Sequence, residues 1–342
     1  MAAPKVSIII PVHNAEKYLH QCIDSIRKQS LEDIEIIPVV DLSIDRQAAH
    51  VLEQYALKDK RIKIINQKNN GVSCSRNSGI ISARGEYIGF VDSDDAISKN
   101  MYEAMYRAAK DHDADIVTAG YARCDKNLNV TAYHYPAVQC NKPLTNSEKR
   151  ALIVKANGKD SLLHVFRNIF RRKMILENKI LFVEEIRIGE DTPFNLHAFY
   201  SAKNVVAMDK AFYFYRQNPE SITQTRYKPH LEKSLQIQYE KKVQFYKDHD
   251  IFGDCFKGLY ESVSANLLPM MLFNVFEQDN FKLKWRAEIK KILDFNMVKK
   301  SLDNTPLINR KLPAGKQFII AVSKLKLYRL LWLFYLYKHG LR

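Results

Sequence analysis

An α/β fold with a mainly parallel sheet, helices on both faces and a separate, basic and mainly helical C-terminal region is what the 342-residue sequence predicts. Three observations carry this. Short apolar runs alternate with helical periods through the first hundred or so residues, the order that builds strand–helix–strand units. An acidic cluster, Asp92-Ser93-Asp94-Asp95, follows directly on the apolar run 87–91, at the kind of strand end where an open α/β sheet keeps its ligand. From about Lys228 the pattern turns helical and lysine-rich.

The elements follow in order. Residues 6–10 are a continuous apolar strand ended by Pro11, after which Asn14 caps a helix that carries Leu19, Cys22, Ile23 and Ile26 on one face. A second strand is expected over 34–40, weakened by Pro38, then a helix over 45–58, a third strand over 62–65, a helix over 73–83 and a fourth strand over 87–91. Another helix follows Asn100, and 114–117 reads as a strand; 121–159 has no strong period and no assignment. Residues 236–247 read as an exposed helix. The expected boundary lies near Tyr227, giving an α/β domain over 1–227 and a helical region over 228–342.

The five cysteines fall singly, without metal-type spacing, and read as reduced thiols of a cytosolic protein. The short start before Val6 does not have the pattern of a secretory signal. The net charge of +15 is concentrated near the end: residues 281–342 hold fifteen Lys or Arg against Glu288, Asp294 and Asp303. There the charge is interleaved with apolar residues, and the run 330–337 is far shorter than the roughly 20 residues that span a bilayer. Such a segment suits an anionic membrane surface, and equally a helix with a core stripe and a solvated basic face.

The acidic cluster also has two readings. Crowded carboxylates repel unless a cation lies between them, and hard oxygen ligands suit Mg²⁺ or Mn²⁺ held together with ligand phosphates. Asp and Ser are equally the residues of turns and N-caps.

Five phrases in matching order decide between these readings. Val6-Ser7-Ile8-Ile9-Ile10-Pro11-Val12-His13-Asn14, Gly71-Val72-Ser73-Cys74-Ser75-Arg76-Asn77-Ser78-Gly79 and Gly85-Glu86-Tyr87-Ile88-Gly89-Phe90-Val91-Asp92-Ser93-Asp94-Asp95 resemble the family 2 glycosyltransferases. Gly189-Glu190-Asp191-Thr192-Pro193-Phe194 and Tyr215-Arg216-Gln217-Asn218-Pro219-Glu220-Ser221-Ile222-Thr223 are similar to later segments of that family, so the likeness spans roughly residues 6–223. The resemblance implies a GT-A fold, which is Rossmann-like, and an inverting transfer from a nucleotide-sugar. Asp94 then matches the metal ligand, for Mn²⁺ or Mg²⁺, and Asp92 a contact to the donor's sugar or ribose. Asp191 matches the catalytic base, with Glu190 beside it to orient the site or raise its pKa. Pro11, His13 and Asp41 match the nucleobase pocket; Arg76 matches a contact to the base or diphosphate, with a structural ion pair to an acid such as Asp92 as the alternative, and Arg216 matches a contact to the pyrophosphate, with bracing of its loop as the alternative. A carboxylate at Asp41 could accept the imide N–H of uracil, which favours a UDP-sugar.

One stretch departs from the family pattern. The acidic, glycine-containing turn after the second strand is here Val40-Asp41-Leu42-Ser43-Ile44-Asp45, and a Leu in place of Gly is costly where positive φ is required. His13 for the usual Tyr and Phe166-Arg167-Asn168 for the usual Trp-Asn-Lys are smaller departures.

The leading expectation is therefore a hexosyl- or N-acetylhexosaminyltransferase extending a surface glycan, capsule or lipopolysaccharide, with a glycan or lipid-linked acceptor. It would be cytoplasmic and peripheral on the inner face of the membrane, and would bind no nucleic acid. A nucleotidylyltransferase should show a glycine-rich phosphate loop near its N-terminus, and residues 6–14 contain no glycine. The non-enzymatic alternative, a basic lipid- or nucleic-acid-binding protein on the same scaffold, uses the charged tail and leaves the acidic centre unexplained.

Overall fold

The computed structural model describes residues 3–13, 17–42, 45–68, 71–155, 164–218, 225–278, 281–307 and 312–339. The expected Asn14 cap, Ser43 and Ile44 of the altered turn, and residues 219–223 of the last motif lie outside them. Two compact units divide the chain, one holding the described residues up to 218 and the other those from 225 onward.

The N-terminal unit is built on one nine-stranded mixed sheet. Strands β1 (Val6–Val12), β2 (Ile34–Asp41), β3 (Ile65–Gln67) and β4 (Tyr87–Phe90) pair in parallel in the order β3-β2-β1-β4. Consecutive residues of β1 enter different cores: Ile8 and Ile10 pack on one face with Leu19, Cys22, Ile23 and Ile26 of α1 (Leu19–Arg27), while Ile9 packs on the other with Ile80 of α3 (Gly71–Ser82). This is why Ile8, Ile9 and Ile10 read as an unbroken apolar run. Gly79 lets α3 approach closely, since a Cβ there would stand 2.4 Å from the Ile9 side chain. Asp45 caps α2 (Arg46–Lys58), its carboxylate accepting the Ala48 N–H at 3.1 Å.

Beyond β4 the ladders change direction. β8 (Asn168–Arg171) runs antiparallel to both β4 and β6 (Ile116–Cys124), β9 (Val205–Arg216) runs parallel to β6, and β5 (Ala96–Ile97) and β7 (Val130–His134) add antiparallel pairs. The first half of the sheet is thus wholly parallel, and the second half is mixed, with β6 and β9 its parallel pair. The stretch without a sequence period contains the second half of β6, then β7 and α5 (Asn146–Lys155); the third strand begins at Ile65, with Ile62 making only an isolated bridge to Ile36. Two antiparallel steps restore the direction of β4 in β6, so the carboxyl ends of β1, β2, β4, β6 and β9 and the start of β8 share one edge of the sheet.

The C-terminal unit is helical throughout its described residues, from α8 (Leu231–Asp248) through α9 (Phe252–Ser262), a π-helical turn over Val263–Leu267, α10 (Leu268–Phe276), α11 (Phe281–Asp294), α12 (Asn296–Asp303) and α13 (Ala314–Lys324) to α14 (Tyr328–Lys338). Met271, Leu272, Ile289, Val298 and Ile320 are buried. The helix expected over 236–247 as exposed is the middle of α8, and its other face buries Leu235, Tyr239, Phe245 and Tyr246. No helix among the described residues is long and apolar enough to cross a membrane.

Candidate active site

Four chain segments meet at the carboxyl edge of the sheet. β4 delivers Asp92 just past its end, α3 delivers Arg76, the turn before α7 (Asp191–Ser201) delivers Glu190 and Asp191, and β9 delivers Tyr213 and Arg216. Arg76, 3% exposed, joins three of the four: its Nη1 donates to Glu190 at 2.6 Å and to Asp191 at 2.9 Å, and its Nη2 to Asp92 at 2.8 Å. Three carboxylates from distant parts of the sequence are thereby held on one guanidinium, whose rigid fork suits several carboxylates at once. The three anions hold the guanidinium firmly protonated despite burial. Arg76 owes its aim to α3, which Asn77 locks in place by exchanging hydrogen bonds with the backbone of Phe182, 2.8 Å from its N and 3.0 Å from its O.

Asp191 is the first residue of α7, where the helix dipole favours negative charge, and it also accepts the Val165 N–H at 3.2 Å. Burial nevertheless raises its pKa, and Glu190 and Asp92 add to the rise against the pull of Arg76. Its proton affinity is therefore well above that of an ordinary aspartate.

The acidic turn is gripped from beneath. Tyr213 Oη accepts the Asp92 N–H at 3.0 Å and donates to Asp95 at 2.7 Å. Asp95, 1% exposed, also accepts the Arg216 N–H at 2.7 Å; burial, then Asp94 and Asp92, push its pKa well up. The Arg216 guanidinium donates to the Asp94 carbonyl at 2.7 Å, to Gln21 at 2.7 Å and to the Lys126 carbonyl, with its centre 4.1 Å above the Tyr18 ring. These bonds brace the loop. Asp94 has its pKa pushed up to about 6 by burial and by Asp92, with Arg216 and Asn218 pulling the other way.

The remaining expected residues lie along the same edge. Pro11 is buried near the end of β1 opposite Val39, His13 is exposed just beyond that strand, and Asp41 is buried at the end of β2. Leu42, where the family has glycine, is not among the described residues with positive φ. Sequence reasoning missed the roles of Tyr213, Gln21 and Val165. Tyr213 sits two residues before the recognised Tyr215-Arg216 phrase, and its period-2 alignment with Tyr215 on β9 was the available signal.

The description "Glycosyl transferase family 2" belongs to the family model that matches residues 7–177, half of the chain. The chain is a family 2 glycosyltransferase. It is 38% identical over 332 residues to the uncharacterised glycosyltransferase EpsJ of Bacillus subtilis (strain 168), covering 97% of this chain and 96% of that one. A poly(ribitol-phosphate) beta-glucosyltransferase of Bacillus spizizenii is 34% identical over 215 residues, 61% of this chain and 32% of that one. The crystal structures of Staphylococcus aureus TarS 1–349 in complex with UDP and with UDP-GlcNAc share the fold of this glycosyltransferase, each with a TM-score of 0.65 at 19% identity over 98% of this chain and 92% of theirs.

Proposed function

We propose that this glycosyltransferase moves a hexosyl or N-acetylhexosaminyl group from a UDP-sugar to a hydroxyl of a growing surface glycan or lipid-linked acceptor, in one inverting displacement. The observation that carries the reading is the junction at Arg76, which brings Glu190 and Asp191 within reach of the Asp92 turn. Asp191 takes the proton from the acceptor hydroxyl as its oxygen bonds to the anomeric carbon; the bond from that carbon to the diphosphate breaks, and its electron pair leaves on the nucleoside diphosphate. Arg76 holds Asp191 as the carboxylate that can accept this proton, and Glu190 raises its affinity for it. A single displacement turns an α-linked donor sugar into a β-linked product.

Asp94 suits a divalent ion, Mn²⁺ or Mg²⁺: its carboxylate and that of Asp92 are hard oxygen donors, burial and then repulsion from Asp92 raise the Asp94 pKa, and a cation would relieve that repulsion. When bound, such an ion supplies positive charge to the leaving diphosphate. Asp92 contacts the donor's sugar or ribose, and Pro11, His13 and Asp41 form the uracil pocket. Arg216 holds the turn that presents Asp94. The relatives' bound UDP and UDP-GlcNAc support the donor class.

The region from 228 onward serves as the acceptor or membrane-association module. On α14 Leu330, Leu333 and Tyr337 lie three and four residues apart, and so on one helix face, with exposures of 38%, 53% and 84%. Exposed Leu325 and Leu327 precede them, and exposed Lys326, Arg329 and Lys338 flank them. Apolar side chains among cations fit the anionic inner face of a membrane.

The test is thermal unfolding with UDP, GDP, CDP or CMP, each with Mn²⁺ or EDTA, on the native chain and on Asp94→Asn. UDP should raise Tm only with metal, and Asp94→Asn should abolish that rise. A rise with GDP or CDP and none with UDP would overturn the donor assignment.

A further inference from the structure

Beyond Asp92 and Asp191, the same edge of the sheet carries a second group of charged and titratable side chains that the transfer step does not use. Tyr121 and Arg123 are two residues apart on β6 and share a face of the sheet, and His134 stands opposite Tyr121 in the ladder to β7. The His134 ring stacks on Tyr121 at 4.7 Å, and the Arg167 guanidinium lies 5.6 Å from the same ring. His164 stacks on Phe166 at 4.9 Å and meets Tyr121 edge-on at 5.8 Å.

These groups act on one another. Burial lowers the pKa of His134, and Arg123 and Arg167 lower it further. Burial and then Arg167 push His164 down to about 4, with Arg123 and His134 adding to the fall and Asp92 opposing it. Buried Arg167 donates its Nε–H to the Ala119 carbonyl at 2.6 Å. Arg123 Nε and His134 Nε2 are shielded from solvent and make no hydrogen bond. The group borders the reaction centre, because His164 directly precedes Val165, whose N–H meets Asp191, and because Asp92 is among the charges acting on His164.

We propose that Arg123, His134, His164 and Arg167 bind a phosphate group of the acceptor beside the hydroxyl that Asp191 deprotonates. The proposal rests on the glycosyl-transfer reading and adds the acceptor's chemical class. Two guanidinium groups and two imidazoles offer charged and neutral N–H donors to phosphate oxygens, and an anion among them replaces mutual repulsion with attraction. Two sources present this chemistry: the phosphodiester of a polyol-phosphate polymer and the pyrophosphate of a lipid-linked glycan.

The test uses the full chain saturated with UDP and Mn²⁺, so that the donor site is filled, and titrates it by calorimetry with bis(glycero)phosphate, with farnesyl pyrophosphate and with glycerol as the neutral control. Saturable binding of either phosphate and not of glycerol is expected, together with an upward shift of the His164 imidazole titration followed by NMR. Arg123→Gln and His134→Gln should each weaken that binding about tenfold, the size of one lost charge-assisted hydrogen bond. Preference for the diester assigns the polymer, and preference for the pyrophosphate assigns the lipid carrier. If neither phosphate binds, or both substitutions leave binding unchanged, the proposal is overturned. UDP binding is measured separately, so its loss counts against the donor reading and the absence of phosphate binding counts against this site.

Discussion

The two units of the chain handle charge in opposite ways. In the N-terminal unit Arg76, Arg167 and Arg216 are all at most 3% exposed and Asp95 is 1% exposed, each within a lattice of hydrogen bonds or aromatic contacts. In the C-terminal unit the ion pairs among the described residues, such as Lys299 with Asp294, lie at the surface, and the buried polar side chains, such as Ser264, Asn274 and Thr305, are uncharged. Buried ion pairs are weak evidence for stability, because desolvation offsets much of their attraction. Their concentration at one sheet edge marks where the molecule gives up stability to hold charges in a working geometry. The surface charges of the helical unit are worth little to folding and remain available to a partner.

The largest effects should come from the buried junction. Asp191→Asn should lower the transfer rate by about 10²- to 10⁴-fold while UDP affinity stays within about twofold, a split that single-turnover kinetics can read. In the native chain the rate should fall on acidification at a pH above the ordinary aspartate range. The raised Asp191 pKa means that the proton-accepting form is lost as pH falls through that higher value. A rate that is flat down to pH 5 would exclude this carboxylate as the base.

Arg76→Gln should cost about 3–5 kcal/mol in urea unfolding, because Asp92, Glu190 and Asp191 would be left facing one another without the shared cation. The loss should shrink at low pH, where the carboxylates are protonated. If the loss is independent of pH, the junction's contribution is packing rather than charge.

Tyr213→Phe removes one hydroxyl and two hydrogen bonds, and should destabilise the protein by about 1–3 kcal/mol. The apparent Mn²⁺ affinity in the UDP shift assay should fall with it, since Asp92 and Asp95 lose a common anchor. The smallest effect on folding belongs to the other unit. Leu330→Glu with Leu333→Glu should change stability by no more than about 0.5 kcal/mol, as exposed positions do, yet reduce co-sedimentation with anionic vesicles severalfold. Unchanged vesicle binding would remove α14 as the membrane face and blur the contrast between the units.

Much of the N-terminal unit could be read in advance because its signals are local. The apolar runs of β1, β2 and β4 are short, interrupted only by Ser7 in β1 and Glu35 in β2, and the acidic turn follows β4 directly in the chain. β6 and β7 were not legible as a pair, since Tyr121–Cys124 carries polar and aromatic residues that make sense only once β8, β9 and His134 lie against them. Arg76 was recognised as a site residue, but whether it meets the diphosphate or a neighbouring acid depended on partners 16, 114 and 115 positions away.

The sequence by itself determined the alternation of strands and helices, the family and the carboxylates of the candidate site, because periodicity and motif spacing are properties of neighbouring residues. Only the tertiary structure decided that Arg76 ties Glu190 and Asp191 to Asp92, that Arg216 braces the Asp94 turn, and that Tyr213 anchors Asp92 and Asp95. Those facts depend on which strand ends the sheet brings to one edge. Burial at that edge then sets each group's proton affinity, through desolvation and neighbouring charge that no linear pattern records.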